Sequence, residues 1–61
     1  MGVEIHFVDG SSNTNFLMEP EELAAELAAL PAGEFLELSF SARGDAVLWI
    51  NPNAVKYLRQ S

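Results

Sequence analysis

Glu19-Pro20-Glu21-Glu22-Leu23-Ala24-Ala25-Glu26-Leu27-Ala28-Ala29-Leu30-Pro31 is the stretch that decides the fold. Pro20 suits the first helical position, where a missing N–H costs nothing. Glu21 and Glu22 then fall in the first turn, where the helix dipole favours negative charge. Four alanines raise the intrinsic helicity. Leu23, Leu27 and Leu30 recur at i, i+4 and i+7, an apolar stripe along one face. Pro31 ends the segment because proline cannot continue a helix. Glu19 is not among the side chains that cap helices best. Met18 and Leu23 have the spacing of a hydrophobic staple around that cap. One short helix with one apolar stripe needs a second layer to cover it.

The flanking segments supply that layer. On the N-terminal side, Val3-Glu4-Ile5-His6-Phe7-Val8 alternates with the period of a strand. Asp9-Gly10-Ser11-Ser12-Asn13-Thr14 is a dense turn cluster. A second strand is expected over Asn15 to Met18, returning antiparallel. A tight Asp-Gly turn would set polar Ser12 and Thr14 opposite Phe7 and Ile5. A longer loop would pair Phe7 with Phe16 and Ile5 with Met18. The longer loop is preferred because apolar cross-strand pairs stabilise a sheet.

On the C-terminal side, Phe35 to Ser41 reads as a third strand. Leu36, Leu38 and Phe40 point one way. Ala42-Arg43-Gly44-Asp45 is a hairpin connection, and Ala46-Val47-Leu48-Trp49-Ile50 a fourth strand. That fourth strand is apolar on both faces, so both faces require cover. Asn51-Pro52-Asn53 interrupts it. Residues 54–60 fit two readings. Asn51 and Pro52 start a short helix with Val55 and Leu58 inward, or Val55 to Arg59 form an edge strand whose Lys56 and Arg59 discourage further pairing. The strand is preferred. The expected fold is α+β: a single domain, residues 1–61, with one helix on a small antiparallel sheet in the order ββαββ(β).

The stretch Glu21 to Leu58 resembles several small actinobacterial protein families without a settled function. Its matching features are the Ala-rich helix Glu21 to Leu30, Gly33, the hairpin around Gly44, and Ile50-Asn51-Pro52-Asn53-Ala54-Val55-Lys56-Tyr57. The resemblance implies the same order of elements and a final strand. It implies no chemistry.

Composition limits the function. Sixty-one residues bury a small core, and chains of this size often rely on a disulfide, a metal or a partner. There is no cysteine and one histidine, His6. Disulfides and Cys/His zinc sites are therefore out of reach, and no cofactor is expected. Association with another chain, possibly a second copy, is the remaining supplement. The net charge is −6, with only Arg43, Lys56 and Arg59 positive. Such a surface repels a phosphate backbone, so direct nucleic-acid binding is not expected. No apolar run reaches bilayer length, so no membrane contact is expected either. The N-terminal residues lack a signal-peptide pattern, and position 6 is His rather than the Ser or Thr of a myristoylation site. A cytoplasmic location is the expectation.

Four groups of side chains are candidates for chemistry or binding. His6 with Asp9 and Ser11 or Ser12 has the residue types of a nucleophilic site; a half-exposed strand histidine explains it more simply. Glu19, Glu21, Glu22 and Glu26 form an acidic face. A metal there lacks the loop geometry that hard cations need, and a solvated helix face accounts for it. Arg43-Gly44-Asp45 spells an adhesion tripeptide, but a glycine turn suffices. Trp49, with Val47, Phe35 and Tyr57 as companions, is the best binding candidate, since tryptophan and tyrosine concentrate at interaction hot spots. Filling the core is the competing role for Trp49. Two non-catalytic functions compete: a module that self-associates or docks on a protein partner through this aromatic face or through an exposed edge strand, and an acidic inhibitor that mimics nucleic-acid charge. A small enzyme or enzyme subunit is the third and least supported reading.

Overall fold

A computed structural model describes all residues, Met1–Ser61. The elements are β1 (Val3–Phe7), β2 (Ser12–Asn15), α1 (Pro20–Ala29), β3 (Leu36–Ser39), β4 (Val47–Ile50), a single 3-10 turn (Pro52–Ala54) and β5 (Val55–Gln60). The fold is α+β in the expected order. Its strands divide into two antiparallel sheets: a three-stranded sheet β2-β1-β5, and a two-stranded ribbon β3-β4.

The two sheets and the helix share one core. Val3 and Ile5 enter it from β1, Leu23 from α1, Leu38 from β3 and Ile50 from β4. Phe7, Met18, Leu27, Leu36, Phe40, Val55 and Leu58 pack around these five. Leu23 and Leu27 of the leucine stripe thus meet the core, with Leu23 fully buried, whereas Leu30 stands in extended conformation at the end of the helix. At the helix start, the Glu19 backbone N–H donates to Glu22 Oε1 at 2.9 Å. The carboxylate of Glu19 accepts from Gly2 N and Gln60 Nε2, each at 3.2 Å. Glu19 therefore ties β1 and β5 to the head of the helix. Gly2 has φ +103°, and a Cβ there would lie 2.7 Å from the Asn15 carbonyl oxygen, so only glycine fits.

The first hairpin differs from the expectation. β2 covers Ser12–Asn15 rather than Asn15 to Met18, and Ile5 faces Asn13 while Val3 faces Asn15. Neither the tight turn nor the long loop forms. Phe7 N donates to Ser11 O, Gly10 N donates to Phe7 O, and Gly10 takes φ +93°. This is a three-residue loop closed by a glycine, a geometry that fixes the register by itself. Asn15 then ends the strand. It is 1% exposed; its Nδ2 donates to Ser39 O at 3.1 Å and its Oδ1 accepts from Leu17 N at 2.8 Å. The second of these bonds bends the chain, leaving Phe16 74% and Leu17 49% exposed. The pairings of Phe16 with Phe7 and of Met18 with Ile5 do not occur.

The tail is a strand. β5 pairs with β1 and forms an edge of the larger sheet. Its register slips between His6 and Phe7, so Lys56 has no partner across β1. The bulge puts Val55 and Leu58 on the same inner face, opposite Phe7 and Ile5. A spacing of three that also suits a helix is here produced by a bulged strand. Asn51 caps the intervening 3-10 turn, its Oδ1 accepting from Asn53 N at 3.0 Å.

Candidate interaction surface

The outer face of the β2-β1-β5 sheet is polar, and Glu4 on β1 pairs there with His6 and with Arg59 of β5. Glu4, His6, Tyr57 and Arg59 share it by strand alternation. His6 Nε2 lies 3.0 Å from Glu4 Oε1, and an Arg59 guanidinium nitrogen lies 3.3 Å from the same oxygen. The His6 ring stacks on Tyr57, with centroids 4.4 Å apart and planes 12° off parallel. The hydrogen bond from His6, helped by the positive charge of Arg59, holds the Glu4 carboxyl below its ordinary value.

This arrangement does not assemble the His6–Asp9–Ser set. His6 bonds Glu4, while Asp9 accepts from Ser11 Oγ at 2.6 Å and from Ser11 N at 2.9 Å. Those two bonds lower the Asp9 carboxyl and close the turn. Ser12 is the cross-strand neighbour of His6 but makes no hydrogen bond with it. The His6 imidazole is not held against a hydroxyl, as its use as the base of a nucleophile would require. No three His, Asp or Glu side chains converge as a metal site would need. On the acidic face, Glu19 and Glu22 are occupied in tying the strands and capping the helix. Glu21 and Glu26 remain as exposed charges on α1. In the Arg43-Gly44-Asp45 turn, Gly44 has φ +76° and Arg43 pairs with Asp45 at 3.2 Å.

The β3-β4 ribbon is different. Its inward residues are Leu36, Leu38, Leu48 and Ile50, and its outward ones Glu37, Ser39, Val47 and Trp49. Trp49 is 60% exposed, so it does not fill the core of this chain. Phe35, one residue before β3, is 58% exposed. Even Leu48, on the inward side, is 38% exposed. It lines an open depression of about 260 Å3 with Asn13, Phe40, Ala46 and Val47, where the sheets part beside the hairpin. Of the four residues marked by sequence, Val47 and Trp49 share one strand face and Phe35 stands near its far end. Tyr57 lies instead on the other sheet, against His6.

Sequence reasoning missed Phe16, Leu17 and Leu48 as exposed apolar groups, and missed the bridge made by Asn15. The signal for Asn15 was weak: one polar residue at the end of a polar strand. No helix is long and apolar enough to cross a membrane. Comparisons with protein-family models, with curated proteins and with solved structures find nothing that matches this chain.

Proposed function

We propose that this protein is a non-enzymatic interaction module that docks on protein through the β3-β4 ribbon. The observation that carries the reading is the exposure of Trp49 on a strand that is apolar on both faces. Exposed tryptophan is costly in water and rewarding at an interface, where it buries a large area and keeps a polar N–H. Phe35, one residue before β3, and Leu48, on the other face of β4, are exposed as well. His6 and Asp9 are each engaged with a neighbour and not with one another, which supports docking over chemistry.

The test compares the wild-type protein with Trp49→Ala. The substitution is expected to leave the thermal transition nearly unchanged and to abolish capture of whatever protein the immobilised wild type retains. Unchanged capture by a folded Trp49→Ala variant contradicts the reading. So does a large loss of stability, which would place Trp49 in a structural role. The acidic-inhibitor reading has less support, because two of its four glutamates already serve the fold. Neutralising Glu21 and Glu26 together is expected to leave docking intact.

A further inference from the structure

The backbone of β4 carries information that its side chains do not. Phe40 N donates to Ala46 O at 2.6 Å, which makes Phe40–Ala46 a hydrogen-bonded pair. Pairs alternate along an antiparallel ladder. With the observed register, Leu38–Leu48 and Leu36–Ile50 are the next bonded pairs. Val47 and Trp49 therefore turn their N–H and C=O groups away from β3. No strand lies on that side, and neither residue makes a hydrogen bond outside the ribbon. An open row of donors and acceptors is a template for another strand.

The other edges are defended or polar. β5 carries Lys56 and Arg59 and is bulged at Lys56. β2 is Ser-Asn-Thr-Asn, with no apolar side chain to reward pairing. On β3, the outward carbonyl of Ser39 accepts from the Asn15 side chain. Only β4 is apolar along its open edge, with neither charge, proline, bulge nor cover along Val47–Ile50.

We propose that β4 pairs antiparallel with β4 of a second copy, joining two ribbons into one four-stranded sheet. This rests on the docking reading above and names its partner. A two-fold axis through Leu48 sets Val47 opposite Trp49 of the second copy, and Trp49 opposite Val47. Both positions are the ones whose backbone groups point outward, so every open donor meets an open acceptor. Leu48 meets its own counterpart on the inward side, where half-exposed leucine gains cover. Trp49 lies across from valine on the outer side, an aromatic–β-branched pair that sheets favour. Both contacts are isologous, as a closed dimer requires. Pairing also doubles a net charge of −6, so salt strengthens the dimer by screening repulsion.

Sedimentation velocity on the full chain, over a concentration series at low and high salt, tests the proposal. The wild type is expected to move reversibly from 6.7 kDa towards twice that mass, more readily at high salt. Val47→Pro removes an outward N–H that β3 does not use, a position where edge strands tolerate proline. It is expected to stay monomeric with its fold intact. Leu48→Lys puts two like charges at the axis and is expected to stay monomeric too; it decides the matter if the proline variant unfolds. A wild-type monomer at millimolar concentration and high salt overturns the dimer. A dimer that persists in both folded variants overturns it as well. Neither result touches the docking reading, which stands or falls on capture by Trp49→Ala.

Discussion

The three-stranded sheet and the two-stranded ribbon share one core, yet they meet water differently. The β2-β1-β5 sheet buries Val3 and Ile5 under the helix and gives its outer face to Glu4, His6, Tyr57 and Arg59. Its edges are polar, charged or bulged. The ribbon buries Leu38 and Ile50 but exposes Trp49, and part of Leu48. One face of each sheet shares the core, so the contrast lies in the outer faces and edges. Strand composition sets it: β1 alternates apolar with polar residues, whereas β4 is apolar throughout. An alternating strand finishes its own surface, and a wholly apolar one leaves work for a neighbour.

Substitutions can break this contrast at its strongest point first. Leu23→Ala empties the place where helix and both sheets meet. It is expected to cost about 2–5 kcal/mol, enough to unfold much of so small a domain, and a denaturant titration reads it. Asn15→Ala removes the side chain that joins β2 to β3 and leaves the Ser39 carbonyl unpaired. The expected cost is about 1–3 kcal/mol by the same titration. Trp49→Ala is expected to change stability by less than about 1 kcal/mol, because most of the ring is already in water. A loss near that of Leu23→Ala would place the ribbon on the same footing as the sheet.

The smallest effect belongs to the polar outer face. Glu4 has a lowered carboxyl in the folded chain. Its contribution is therefore present above the ordinary glutamate range and is lost as pH falls through the lowered value. Chemical-shift titration of Glu4 is expected to give a midpoint below that of the same residue in Arg59→Ala.

Much of this was legible in the sequence. Pro20 and the Leu23–Leu27–Leu30 stripe located the helix because propensity, terminus and periodicity agree there. Parity along Val47–Ile50 turned Trp49 away from the core once Ile50 turned in. The second strand was not legible. Apolar pairing argued for Phe16 against Phe7, but the glycine turn set the register, and Asn15 took the buried place through hydrogen bonds that composition does not reveal. The tail was ambiguous because a bulge at Lys56 gives Val55 and Leu58 a helix-like spacing. Tyr57 looked like a companion of Trp49, yet the split into two sheets, a long-range outcome, separated them. The outward hydrogen-bonding positions of β4 depend on register, which sequence alone does not fix.

Residue-resolved amide hydrogen exchange at low and high protein concentration puts the undefended edge to the most direct test. Val47 and Trp49 amides are expected to exchange freely when dilute and to become protected when concentrated, while the β1 amides stay unchanged. Protection of Val47 and Trp49 that is already complete in dilute monomer, or that never develops as chains associate, would contradict the open edge on which this account depends.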